Sequence, residues 1–231
     1  MAMNANTFTP ETYEAPRMGT IDTTIAIVKV GTDGKTYNVH KALLCASSEN
    51  FAAALNGPFK EGRENTIVLD DMEGKSFRRY LDWLYRGRFF NSNLEVVVDL
   101  HIFADRYLIP QLKRATVDMM IEDPSQVPRY RTVARAFREL PESSPMCDLI
   151  VQRYLSIFKL ACDKNNNDQD RKDLPTAFLL KLFLGYAKQK GEKNNSYEWQ
   201  EDPCKWHEHK TEKDSEACKK KRAVRKAKGV R

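Results

Sequence analysis

Between Ile25 and Leu69 the apolar residues of this chain change their period and then change it back. Ile25, Ile27 and Lys29 alternate with Ala26, Val28 and Val30, a two-residue period that predicts a strand. Apolar residues fall on both sides of it, which predicts cover on both faces. Asp33-Gly34 predicts a tight hairpin turn, because glycine accepts a positive φ at little cost, and residues 37–39 are expected to pair back onto the first strand. From Lys41 the spacing becomes helical. Ala42, Leu43 and Ala46 share a face, Ser47 or Ser48 offers a hydroxyl cap to the next helix, and Phe51, Ala52 and Leu55 form that helix's stripe before Gly57-Pro58 ends it. Thr66–Leu69 returns to the extended pattern. A chain that mixes the two periods in this way is expected to be α+β, a small sheet flanked by a cluster of helices.

The rest of the chain predicts helices only. Phe77, Tyr80, Leu81 and Leu84 recur at helical spacing after the acids Asp70 and Asp71. Asn93 can cap a helix carrying Leu94, Val97, Val98, His101 and Ala104, and Pro110 suits the first turn of another. Asp123-Pro124 marks an expected boundary. Beyond it come three stripes: Val133, Ala134, Phe137 and Leu140; then Met146, Leu149, Ile150, Arg153, Tyr154, Ile157 and Phe158; then Phe178, Leu179, Leu182, Phe183 and Tyr186. The polar run 163–173 is expected to be an exposed loop, and little order is expected after Gly191, where apolar residues become rare. The expected organisation is a flexible arm over 1–20, an α+β domain over 21–122, a helical extension over 123–190 and a polar, basic tail over 191–231.

From the first strand through Ala104-Asp-Arg-Tyr-Leu-Ile109 and Leu112, with Val39-His40-Lys41-Ala-Leu-Leu44 as its most distinctive piece, the chain resembles the BTB/POZ domain family. With its Cys/His-containing tail it is similar to fungal members. The resemblance implies a BTB/POZ fold and a role in joining proteins, the partner being a cullin or another BTB chain, with no small-molecule substrate. It implies two sets of contact residues. Phe59-Lys60-Glu61 is similar to the triplet with which cullin-binding members pack an apolar side chain and place a glutamate beside a basic patch. Asp22 and Lys41 match two positions that line a charged pocket at the dimer interface of transcription-factor members, where the second is usually arginine. Each has a plainer alternative: a Phe and a Glu that serve folding, and an ordinary ion pair. The arm 1–20 shows neither the extra strand nor the extra helix through which family dimers exchange, so a monomer and a dimer through another face both stand.

Nothing in the chain points to an enzyme. It has 10 glycines, scattered, and no phosphate-cradling loop. His40 and Cys45 lie five residues apart without a third orienting group, poor geometry for a nucleophile and base. His40 is expected to pin the strand-to-helix junction, and Cys45 to be a small buried apolar residue. No apolar run approaches the roughly 20 residues a membrane helix needs, and five sparse cysteines suit a reducing compartment, so an intracellular location, nucleus or cytoplasm, is expected.

The tail carries two further patterns. Cys204, His207, His209 and Cys218 follow C-x2-H-x-H-x8-C, and two sulfurs with two imidazoles would close a tetrahedral zinc site of a structural kind, ordering residues 203–218, with Trp199 and Trp206 as apolar backing. The alternative is a polar tail whose donors are incidental, and no cofactor is otherwise required. Lys219, Lys220, Lys221 and Arg222 resemble a nuclear-import signal. Eight basic residues and no acid lie in 219–231; taking those eight from the chain's net +6 leaves −2 for the remainder. The basicity therefore sits in the tail, and nucleic acid is expected to bind at most weakly, and through it.

Overall fold

The computed structural model describes residues 22–88, 93–122, 126–164, 166–191 and 203–227. The expected arm 1–20, the Asp123-Pro124 boundary and Trp199 lie outside them.

Strand β1 (Ile25–Val30) occupies the middle of a three-stranded sheet, antiparallel to β2 (Lys35–His40) and parallel to β3 (Thr66–Leu69). The β1–β2 hairpin turns through Gly31 and Gly34, at φ of +75° and +62°, which glycine adopts without a steric penalty. In register, Val28 faces Tyr37 on one side and Ile67 on the other. A parallel pair cannot be joined by a hairpin. The chain passes from β2 to β3 through three short helices, α1 (Lys41–Ser47), α2 (Glu49–Asn56) and α3 (Lys60–Glu64).

Among the described residues, cover falls on one face of β1 and not on both, a correction to the sequence reading. Ala26, Val28 and Val30 are buried with Val39, Ile67 and Leu69, whereas Ile25, Ile27 and Val68 are exposed. The two-sided apolar pattern of β1 records β-branched strand formers on each face and does not tell which face is packed. In α1 the buried residues are Leu43, Leu44 and Ser47, with Ala46 exposed.

The described residues divide into two units, 22–88 with 103–115, and 93–102 with 116–227. In the first, α4 (Gly74–Arg86) buries Phe77, Tyr80, Trp83 and Leu84. Ser48 caps α2: its hydroxyl oxygen accepts from the Phe51 N–H at 3.1 Å and its O–H donates to the Tyr107 carbonyl at 2.5 Å. Phe51 stacks on Tyr107, and the Tyr80 ring meets Phe103 edge-on while its hydroxyl lies 2.8 Å from Ser47 Oγ.

The second unit is helical. It holds α5 (Leu94–Arg106) as far as Ile102, started by the Val96 N–H on Asn93 Oδ1 at 3.0 Å, and α6 (Pro110–Glu122) from Thr116 on, followed by α7 (Tyr130–Glu139), α8 (Pro145–Ile157) and α11 (Thr176–Gly191). Val97, Val117, Met120, Val133, Ala136, Leu149, Ile150, Tyr154 and Phe178 are among the residues of its core. Arg153 is fully buried in that core, its guanidinium donating to the carbonyls of Met120 and Gln126. The polar run 163–173 is more ordered than expected. After the single turn α9 (Leu160–Asp163) it holds α10 (Asp168–Lys172), begun by a capping box between Asn167 and Asp170. α11 departs from its predicted stripe: Phe178 is buried and Leu182 half-buried, but Leu179 is exposed and Phe183 is 71% exposed. No helix among the described residues is long and apolar enough to cross a membrane.

The tail also departs from expectation. A 3₁₀ turn, Pro203–Trp206, leads to α12 (Glu212–Ala227), which continues well past Cys218. Its Glu, Lys, Ala and Arg residues are strong helix formers, and Thr211 Oγ1 caps it by accepting from the Asp214 N–H at 3.2 Å.

Because Ser48 serves both as cap and as donor to Tyr107, Ser48→Ala is expected to lower stability by about 1–2 kcal/mol in denaturant unfolding. A loss of only a few tenths would show that water replaces both bonds.

Candidate functional site

Phe59 stands at the N-terminal edge of α3 with 58% of its surface exposed, and Glu61, in the first turn of α3, is also exposed. Two glycines set this segment. A Cβ on Gly57 would lie 2.8 Å from the Phe59 ring, and one on Gly62 would lie 2.4 Å from the Gly57 carbonyl oxygen. α3 therefore folds back closely on the end of α2 and holds the ring outward on a short, backbone-packed support.

Lys41 has a part in that support which its spacing did not reveal. Its ammonium donates to the Leu55 carbonyl at 2.8 Å and to Asn65 Oδ1 at 3.1 Å. Leu55 is in the last turn of α2, and Asn65 ends α3 in the left-handed region at φ +46°. Lys41 thus grips the chain on both sides of Phe59–Glu61. Asp22 is engaged separately: its carboxylate accepts from the Thr24 N–H at 2.9 Å and the Thr24 hydroxyl at 2.8 Å, and these bonds hold its pKa below the usual carboxylate value. Lys41 adds only a minor Coulombic pull.

His40 and Cys45 have separate hydrogen-bond partners, Tyr85 and Asn56. His40 Nδ1 lies 2.8 Å from the Tyr85 hydroxyl, which also accepts the His40 backbone N–H at 3.2 Å, so the imidazole pins the strand-to-helix junction. Cys45 is half-buried rather than buried, and burial pushes its thiol pKa up, away from the thiolate a nucleophile needs.

The tail gathers its four donors. Cys204, His207, His209 and Cys218 each offer one ligand atom, all within 4.8 Å of one another, and could bind a metal. Local turns do the gathering. The 3₁₀ turn bonds the His207 N–H to the Cys204 carbonyl at 3.4 Å, and a tighter turn bonds the His209 N–H to the His207 carbonyl at 3.0 Å. Cys218 arrives from α12, one turn after Asp214 on the same helical face. Trp206 packs against the core of the helical unit. Cys204 and His207 are buried, and neither cysteine is held in a disulfide. His207 Nδ1 lies 3.3 Å from Cys218 Sγ. Two residues beyond the predicted set belong to this centre: Asp118 Oδ1 is 3.3 Å from His207 Nε2, and Asp214 Oδ2 is 3.4 Å from His209 Nδ1. Asp214 was within reach of sequence reasoning as the residue four before Cys218, whereas Asp118, on α6, carries no local signal. Lys219, Lys220 and Lys221 lie exposed on α12, and Arg222 follows in the same helix.

Residues 17–124 match the family described as BTB/POZ domain. The chain is similar to Armadillo BTB Arabidopsis Protein 1 of Arabidopsis thaliana, at 34% identity over 36% of this chain and 11% of that protein. It is also similar to a BTB/POZ domain-containing protein of the same plant, at 32% identity over 41% of this chain and 34% of that protein. The chain thus spans a minor part of the length of these relatives. Among solved structures it is similar to the BTB domain of zebrafish PATZ1, with 22% identity and a TM-score of 0.35 over 42% of this chain and 75% of that one.

Lys41→Met keeps much of the stem and removes both hydrogen bonds of the ammonium. It is expected to cost about 1–3 kcal/mol in denaturant unfolding, and an unchanged midpoint would show that the grip on Leu55 and Asn65 is not stabilising.

Proposed function

We propose that this chain, a protein-interaction module by virtue of the BTB/POZ domain over residues 17–124, acts as a non-enzymatic adaptor that engages a cullin scaffold through Phe59 and Glu61. The carrying observation is the 58% exposure of Phe59 on a support that Gly57, Gly62 and Lys41 hold in place. A large aromatic presented on a rigid turn, with a carboxylate two residues on, has the chemistry of an interface anchor: the ring fills an apolar pocket and the glutamate meets a cation at its rim. Lys41 stands behind this contact as a support, through its bonds to Leu55 and Asn65, and Asp22 is proposed as a further partner-contact residue beside it. An adaptor also needs a client surface. The exposed row Leu179, Leu180, Phe183, Leu184 and Tyr186 on α11 supports one, since contiguous exposed apolar side chains usually mark binding.

A second reading is favoured by the exposed lysines 219–221 on α12: a nuclear scaffold that self-associates or recruits a regulatory partner through its BTB/POZ domain, with the basic helix directing import or adding weak, salt-sensitive affinity for nucleic acid. Either reading places the protein inside the cell.

The tail is part of the proposal. Four protein donors, two thiolates and two imidazoles, fill a tetrahedral shell and leave no open position, which suits a structural zinc and not a catalytic one. The separation of His207 Nδ1 and Cys218 Sγ, 3.3 Å, supports it. Nitrogen and sulfur bound to one tetrahedral zinc at about 2.0 and 2.3 Å stand about 3.5 Å apart.

Calorimetric titration with a purified cullin N-terminal domain is expected to show binding by the parent, weakened at least tenfold in a folded Phe59→Ala, Glu61→Ala variant. No binding by the parent would remove the cullin reading and leave the nuclear scaffold, for which DNA affinity that falls steeply with salt and vanishes without 219–231 is the expected sign. Elemental analysis of protein purified without chelator is expected to find one zinc per chain, and none in Cys218→Ser; a metal-free parent that takes up no added zinc would refute the zinc reading.

A further inference from the structure

We infer that Asp118 and Asp214 are the outer carboxylates of the tail's metal centre, that they select opposite ring nitrogens of the two histidines as ligands, and that the centre thereby fastens the start of α12 to α6. This rests on the zinc reading of Cys204, His207, His209 and Cys218.

A metal takes one nitrogen of an imidazole, and the other must then carry its proton. In established sites that N–H is directed at a carboxylate, a carbonyl or water, which orients the ring and strengthens it as a ligand. His207 meets this requirement with Nδ1 as donor. That atom is the one 3.3 Å from Cys218 Sγ, while Nε2 faces Asp118 Oδ1, also at 3.3 Å. The His207 side chain is only 1% exposed, so its outward nitrogen cannot rely on bulk water. His209 is arranged the other way. Its Nδ1 is 3.4 Å from Asp214 Oδ2, which leaves Nε2 for the metal. Both contacts have ion-pair distances with the N–H off the line of a strong hydrogen bond. A carboxylate at that range still offsets the positive charge that a bound cation draws onto the ring.

The two acids differ in what else they do. Asp214 sits in the first turn of α12, and its Oδ2 is also 3.4 Å from the Lys210 N–H, so it supports the helix start as well. Asp118 belongs to α6, remote in sequence from every ligand. The ligands alone would close a loop within the tail. With Asp118 the loop is tied to a core helix of the same unit, and the first two turns of α12 are tied with it. Metal binding in this arrangement is folding free energy for residues 203–218 and for the helix they start.

Asp118→Asn tests the inference, since it keeps the shape and one carbonyl oxygen and removes the charge. Zinc affinity would be measured by competition with a chromophoric chelator on the full chain, alongside hydrogen exchange of 203–227 with zinc and with the metal stripped. The expected result is one equivalent of zinc in both proteins, bound 10- to 100-fold more weakly by the variant. Stripping should lose protection across 203–218 in the parent, and the two metal-free proteins should share one unfolding midpoint, which a merely structural role for Asp118 would not allow. Ring-nitrogen NMR of the zinc form is expected to show His207 bound through Nδ1 and His209 through Nε2. Zinc held equally tightly by parent and variant, or the same ring nitrogen bound in both histidines, would overturn the inference while leaving the zinc site intact. A parent that binds no zinc would refute the underlying reading instead.

Discussion

β1 is hydrogen-bonded along both edges, and the direction of one partner dictates the path of the chain around it. β2 can return through a glycine turn because it is antiparallel. β3 is parallel, so the chain must travel the length of the sheet before it pairs, and it does so as α1, α2 and α3. The Phe59–Glu61 segment lies within that crossover. Its conformation comes from how little room the crossover leaves: a Cβ on Gly57 or on Gly62 would run into a backbone carbonyl oxygen, and Lys41, the first residue after β2, closes the two ends. The candidate contact residues are therefore by-products of a topological demand made precise by three small or polar positions.

The helical unit meets a different demand, the satisfaction of polar groups in an apolar interior. Arg153 has none of its surface exposed, yet its guanidinium is spent on carbonyls at and beyond the end of α6, where the helix leaves acceptors unpaired. His101 pairs its Nδ1 with Thr116 at 2.8 Å. The tail obeys the same rule with fewer resources. Residues 203–227 add little apolar burial beyond Cys204 and Trp206, and a segment without a core needs another source of free energy. The concentration of thiols, imidazoles and carboxylates at one point is where such energy would come from.

Much of this was legible in the residues. The period of two, the Asp33-Gly34 turn, the caps at Ser48 and Asn93, and the amphipathic helices around Phe77 and Met146 all rest on interactions within a few residues, which spacing records directly. The four tail donors were legible for the same reason, since three lie within six residues and the fourth one helical segment later. The features that were not legible depended on distant partners. Ile25 and Ile27 look as apolar as Ala26 and Val28, and only the placement of helices decides which side is covered. Leu179 and Phe183 fit the same helical stripe as Phe178, but just one of the three is buried. Lys41 reads in the sequence as one half of an ion pair, and its acceptors proved to be a carbonyl and an amide farther along the chain.

The sequence by itself determined the local elements, the BTB/POZ resemblance of its N-terminal half and the identity of the tail donors, because each rests on dihedral preference, side-chain period or ligand chemistry within a short stretch. Only the tertiary structure decided that Phe59 is presented rather than packed, that Lys41 frames it, and that Asp118 on α6 faces His207. Those facts depend on which backbone groups are left unpaired and which surfaces are brought within a few ångströms of one another. Such pairings join residues that no period connects.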